Sequence, residues 1–370
     1  MYLHQLLQAM VKEDASDLFI TVNLSASAKI NGELQPVDEK VLSFDDALAL
    51  VHSSMTEKQI TEFTETKECN YAIAIDDIGR FRISAFWQRE MPGMVVRRIV
   101  TDIPDTEKLG LPPVLKELVM SKRGLLLFVG GTGTGKSTSM ASLIGYRNRN
   151  ARGHILTIED PVEFVHEHGK SMITQREVGM DTESFDAALK SSLRQAPDVI
   201  LIGEIRSQDI MEHALSFAET GHLCIATLHA NNANQAIDRI MHLVPPEQHE
   251  KLQFDLALNL RGIVAQQLVP TRDGLGRKAA IEILLNSPYV SELIKKGAVG
   301  DIKEVMAKSR ELGMQTFDQA LFDLYEAGEI SYTDALHNAD SPNDLRLMIK
   351  LRSNDQTGIG GLKGATLDGD

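Results

Sequence analysis

Apolar and polar positions along this chain change rhythm near residue 103. Before that point, "SDLFITV", "SAKINGEL", "CNYAIAI", "RFRISAFW" and "GMVVRRIV" alternate in short runs. A period of two predicts strands of a largely antiparallel sheet. Leu3, Leu6, Leu7, Met10 and Val11 fall on one helical face, which predicts an amphipathic helix over 1–13, and further helices are expected over 43–52 and 56–64. Gly32 and Gly79 mark turns. The stretch "TDIPDTEKLGLPP" holds three prolines and no strong period, so the linker is expected at 104–113.

From residue 114 the pattern becomes strand, helix, strand, helix. "LLLFVG" (125–130), "HILTIE" (154–159), "VILIGE" (199–204) and "LCIATL" (223–228) are short continuous apolar runs, as parallel strands buried on both faces require. Helical stretches lie between them at 136–147, 184–195 and 208–220; in the last, Ile210, Met211, Ala214, Leu215 and Ala218 form one apolar face. This alternation predicts a parallel α/β sheet whose ligand sits at the C-terminal strand ends. Beyond about residue 245 the chain reads as helix up to residue 352, with a hairpin around "TRDGLGRK". The Gly-rich tail 353–370 is expected to be disordered.

Composition narrows the class. A length of 370 residues suits two domains, here 1–103 and 114–352. No apolar run approaches the ~18 residues that span a bilayer, and the N-terminus lacks a signal peptide's basic flank and cleavage site, so a cytoplasmic protein is expected. Cys69 and Cys224 stand far apart, which excludes a four-cysteine zinc site and a disulfide framework and leaves each as a small buried residue. A net charge of −14 argues against a non-specific nucleic-acid binder. Anionic ligands need local positive charge.

The strongest chemical signal is "GGTGTGKS", residues 130–137, which matches G-x-x-x-x-G-K-S/T between an apolar strand and a helix. Gly130, Gly131, Thr132, Gly133, Thr134 and Gly135 let backbone N–H groups face phosphate oxygens. The helix that opens at Lys136, Ser137 and Thr138 adds the favourable end of its dipole. Lys136 is placed to reach the β- and γ-phosphates of ATP, and Ser137 to offer its hydroxyl to Mg²⁺. In "LTIEDPVEF", Glu159, Asp160 and Glu163 crowd a strand end, where carboxylates can hold the metal through water or activate the attacking water. "APDVILIGEIR" brings Glu204 to another strand end, preceded by Gly203 where nucleotide-hydrolysing proteins often carry a metal-binding Asp. A lone carboxylate can still act through metal-bound water. "TLHANNA" ends the next strand with His229, placed to sense the γ-phosphate or to contact Glu204. Five arginines fall between Arg80 and Arg98, and guanidinium groups there can approach phosphate.

These four boxes, in this order, resemble the secretion ATPases of type II secretion and type IV pili. "GGTGTGKST" is similar to their Walker A, "LTIEDPVEF" to their Asp box, "LRQAPDVILIGEIR" to a Walker B that ends in Gly-Glu, and "TGHLCIATLHANNA" to their His box. The resemblance covers residues 1 to about 350. It implies a RecA-like P-loop NTPase motor domain behind a smaller α+β PAS-like domain. It implies Mg²⁺-ATP between the two domains of a hexameric ring, held in part by Ser137, Glu159 and Glu204, with His229 at the nucleotide. Glu163 takes the place of a general base, Glu204 of the residue that orders magnesium and its waters, and Arg82 and Arg97 of the phosphate-facing arginines. The chain is similar to the retraction branch, PilT and PilU. Where PilT proteins carry A-I-R-N-L-I-R after E-I-L, residues 289–295 here read "YVSELIK", and that departure points to PilU. The implied partners are further copies of the chain, a PilT-like retraction ATPase and an inner-membrane pilus platform protein, at the cytoplasmic face of the pilus base, without nucleic acid.

Overall fold

A computed structural model describes residues 2–30, 33–99 and 102–352. The chain forms two compact units: one up to Asp102 together with Glu163–Val165, the other from Ile103 onward with that short segment left out. The turn expected at Gly32 and the tail 353–370 lie outside the described residues.

In the first unit, α1 (Tyr2–Lys12), β1 (Asp17–Thr21), β2 (Ser25–Ile30), β3 (Glu33–Val41), α2 (Phe44–His52), α3 (Glu57–Thr66), β4 (Glu68–Ile75), β5 (Gly79–Gln88) and β6 (Met91–Ile99) follow one another. The strands pair antiparallel in the order β3-β2-β1-β6-β5-β4. Ser43 and Thr56 open α2 and α3 with reciprocal capping boxes, which satisfy N–H groups that helix starts leave unpaired. The alternation has its expected result: Leu18, Ile20, Phe81, Ile83, Met94 and Val96 point into one core with Leu6, Leu7, Leu50 and Phe63 of the helices. The opposite set of positions carries Asp17, Lys29, Arg80, Arg82 and Arg97. The edge strand β3 escaped the sequence reading except at its start, because "ELQPVDEKV" is nearly all exposed and carries Pro36, as edge strands can.

The second unit contains α4 (Val114–Val119), β7 (Gly124–Val129), α5 (Lys136–Asn150), β8 (Gly153–Glu159), β9 (Ser171–Glu177), α6 (Phe185–Ser192), β10 (Val199–Ile202), α7 (Gln208–Glu219), β11 (Leu223–Leu228), α8 (Ala233–Met241), α9 (His249–Asn259), β12 (Leu260–Pro270), β13 (Arg277–Leu285), α10 (Pro288–Lys295), α11 (Ile302–Lys308), α12 (Phe317–Glu326), α13 (Tyr332–His337) and α14 (Pro342–Arg352). Its sheet runs β13-β12-β7-β11-β10-β8-β9. All pairs are parallel except β12 with β13. Every residue of β7, β10 and β11 is buried, and separate apolar cores cover the two sheet faces. The region after residue 245 is not purely helical: β12 and β13 form a long antiparallel hairpin, and β12 extends the parallel sheet beside β7. A strand buried on both faces leaves a continuous apolar run that periodicity cannot separate from helix. Only its turn, around "TRDGLGRK", announced itself. The outer strand β9 also goes beyond the expected elements, because "SMITQRE" is polar and has no continuous apolar run.

Candidate active site

Because β7, β8, β10 and β11 are parallel, their C-terminal ends open on one edge of the sheet. All four sequence boxes arrive there. β7 runs into the glycine loop, and α5 starts at Lys136. Gly135 caps the helix at φ +83°, and a Cβ there would stand 2.8 Å from Gln266 Nε2; a side chain would be both strained and obstructed. Thr132 and Gly133 form the exposed tip, while Ser137 and Thr138 sit half-buried in the first helical turn. Thr134 Oγ1 donates to the Gly131 carbonyl at 2.9 Å. Lys136 folds back over the loop, and its Nζ donates to the carbonyls of Gly130 (2.8 Å) and Gly131 (2.7 Å).

Beneath the loop lies a residue outside the four boxes. Gln266 of β12 is 3% exposed. Its Nε2 donates to the Thr134 carbonyl at 2.9 Å, and its Oε1 accepts from Ser139 Oγ at 2.8 Å. The side chain therefore ties the phosphate loop to the first turns of α5. A polar pair inside the apolar run "IVAQQLV" was the available signal, since a buried amide needs partners.

Gly203 leaves β10 against the end of β8. Its N–H donates to the Ile158 carbonyl at 2.7 Å, and a Cβ would come within 3.1 Å of Glu159 Cα and 3.2 Å of the Ile158 carbonyl. An aspartate would crowd that neighbouring strand, so the glycine is what its packing requires. Thr227 Oγ1 bonds the Gly203 carbonyl, and the Ile205 N–H donates to the Thr227 carbonyl at 2.9 Å. The backbone on both sides of Glu204 is thus fixed between β8 and β11.

Glu204 and His229 come together, with His229 Nε2 3.1 Å from Glu204 Oε1. Arg206 Nε donates to Glu204 Oε2 at 2.7 Å, and its Nη1 lies 3.4 Å from Asp160 Oδ2. Arg206, the last residue of "APDVILIGEIR", thus links two of the boxes. Glu159 ends β8 and accepts from Thr157 Oγ1 at 2.7 Å and from Gln175 Nε2 at 3.3 Å. A cleft of about 330 Å³ beside His229 is lined also by Gln235, Asp238, Arg239 and His242. Among the described residues no group of three or more His, Cys, Asp and Glu side chains is arranged to hold a metal.

Glu163 is exposed, follows the cis Asp160–Pro161 peptide by two residues and belongs to the first unit. Arg82 and Arg97 stand directly opposite each other on β5 and β6. Arg97 also faces Asp17 of β1, whose Oδ1 accepts from its Nε at 2.7 Å, and Asp17 faces Lys29 of β2. With its side chain 69% exposed, Arg97 keeps most of its guanidinium in solvent.

A family model described as type II/IV secretion system protein matches residues 1–320. The chain belongs to the type II/IV secretion system protein family. Among family members, the type IV pilus ATPase PilU of Pseudomonas aeruginosa is 58% identical over 95% of this chain and 92% of its own length. The type IV pilus retraction ATPase PilT of the same organism is 37% identical over 92% of this chain and 98% of its own. A crystal structure of the pilus retraction motor PilT with bound ADP superposes with a TM-score of 0.88 at 38% identity, covering 94% of this chain and 99% of that one. The family's mixed α/β motor fold, with its RecA-like sheet, is therefore present here. The segment where the sequence departs from PilT is α10: Ser291 Oγ donates to the Ala257 carbonyl of α9 at 3.0 Å, and Lys295 pairs with Glu292 at 3.2 Å and lies over the Phe254 ring. Tyr289 is 61% exposed.

Proposed function

We propose that this chain is an ATP-hydrolysing motor of type IV pilus retraction, PilU-like, working in twitching motility beside a PilT-type ATPase. Its motor domain, 114–352, follows the PAS-like domain 1–103 through the linker 104–113. The observation that carries the reading is the Glu204–His229 pair, fixed by Arg206 at the strand edge where the glycine loop opens. Lys136 exchanges the loop carbonyls for the β- and γ-phosphates when ATP enters. Glu163 takes the proton from the attacking water. Arg82 and Arg97 supply positive charge to the phosphates, as guanidinium groups do for phosphoryl transfer.

Ser137, Glu159 and Glu204 would offer only hard oxygen, from a hydroxyl and two carboxylates, which fits Mg²⁺. Bound there, the ion would neutralise phosphate charge and orient water. Glu204 is well placed to order such waters, because Arg206 and His229 hold its carboxylate in one orientation. The chain would work as a hexameric ring docked peripherally on the cytoplasmic side of an inner-membrane platform protein; among the described residues no helix is long and apolar enough to cross a membrane.

The segment 289–295 lacks the two arginines of the PilT pattern, and Lys295 is committed to Glu292 and Phe254. Lysine does not offer the planar fork of arginine. This supports a motor that hydrolyses ATP yet needs a PilT-like ring to move the pilus. The test is pilus retraction in cells whose PilT-like protein carries a dead Walker A lysine but still assembles. Retraction should persist with this chain present and stop without it. Normal retraction with no PilT-like protein at all would overturn the reading of 289–295.

A further inference from the structure

Glu282 is a carboxylate at the centre of β13, 2% exposed, in a strand where the flanking Ile281 and Ile283 are equally buried. Such a group needs a reason to be there. Its Oε1 accepts from the backbone N–H of Ala233 at 2.8 Å, and its Oε2 accepts from that of Phe317 at 3.4 Å. Ala233 and Phe317 are the first residues of α8 and α12. One side chain therefore ties together the start of the helix that follows His229 and the start of a helix in the C-terminal bundle.

The chain from His229 to α8 is four residues long. Asn232 caps α8 by accepting from the Gln235 N–H at 2.9 Å, and Gln235 Oε1 accepts from the Asn231 N–H at 3.2 Å. Those two contacts shape the turn locally. Glu282 anchors it to β13 through α8's own first N–H. The surrounding charges come from the bundle: Lys303 of α11, Asp318 of α12, and Asp340, which pairs with Lys303 at 2.7 Å.

We propose that Glu282 is a positioning residue of the ATPase centre: it fixes the 229–232 turn, and with it the His229–Glu204 contact, to the C-terminal helices. A shift of α12 is then transmitted toward His229 through this two-ended link. Through this link α12 reports on, or sets, the nucleotide site. The inference rests on the reading of His229 as a working member of that site.

The experiment is a kinetic double-mutant cycle in the full-length protein, with Glu282→Gln, His229→Ala and the double variant assayed for steady-state ATP hydrolysis. Glutamine keeps one acceptor and turns an N–H group toward the other donor. Glu282→Gln should lower kcat about tenfold with KM for ATP little changed, and the double variant should be no slower than His229→Ala alone. Multiplying effects would mean that Glu282 does not act through His229 and would overturn the proposal, as would wild-type kcat in Glu282→Gln. A wild-type kcat in His229→Ala would instead overturn the reading of His229. Should Glu282→Gln fail to fold, Ala233→Pro removes the same bond: proline suits the first helical position, and Asn232 before it is already extended (φ −150°, ψ 178°). It should show the same kcat loss and the same lack of additivity with His229→Ala.

Discussion

Replacing Gln266 by leucine keeps the side chain's approximate volume and removes both of its hydrogen bonds. Ser139, 2% exposed, loses its acceptor at 2.8 Å, and the Thr134 carbonyl loses its donor at 2.9 Å. Each buried polar group left unpaired costs about 1–3 kcal/mol. Ser139 can rotate its hydroxyl toward a helix carbonyl and recover part of this, so the sum is roughly 2–4 kcal/mol. For a domain of this size that lowers Tm by about 10 °C. The loss falls on the phosphate loop, so ADP affinity should drop as well, by about tenfold or more. Thermal melts and fluorescent-ADP titration measure both quantities. Gln266→Leu combined with Ser139→Ala should be less harmful than the two single changes summed, since the pair shares one bond. If Gln266→Leu melts and binds ADP like the wild type, the loop is not held from β12 and the geometric argument fails.

Lys136→Ala removes the charge that meets the phosphates and should abolish phosphate release in a steady-state assay. Glu163→Gln should leave nucleotide binding intact while turnover falls ~10²-fold; equal loss of binding would make Glu163 a structural or metal-binding group. Gly203→Asp should not restore a lost metal ligand but should lower Tm, because its Cβ meets the end of β8 at 3.1–3.2 Å. Burial pushes the Glu282 carboxyl up from 4.5 to about 7, against the pull of the Ala233 N–H. The folded state therefore holds a proton that the unfolded state has released, and this contribution to stability is present below pH 4.5 and lost as pH rises through 7. Glu282→Gln removes that titration, so denaturation midpoints of variant and wild type, measured from pH 4.5 to 8, should diverge along that slope.

The sequence alone determined the motor's strand-helix alternation, the glycine loop and the four boxes that meet at one sheet edge. Those are local signals: a parallel strand buried on both faces is a short apolar run, and a loop that wraps phosphate needs glycine at fixed spacing. The alternating rhythm before residue 103 likewise specified which residues of β1, β5 and β6 face the core. What the tertiary structure decided depended on partners distant in the chain. Gln266 meets the phosphate loop from 132 residues away, and Glu282 meets α8 from 49. No period or spacing carries such a pairing, because the partner of a buried polar group is set by which strands lie side by side. The reason for Gly203 has the same origin: the residue reads as a missing aspartate until β8 is seen against it. The strand β12 was illegible for a related reason, since its hydrophobic run is the same on both faces and only the open edge of β7 makes it a strand rather than a helix.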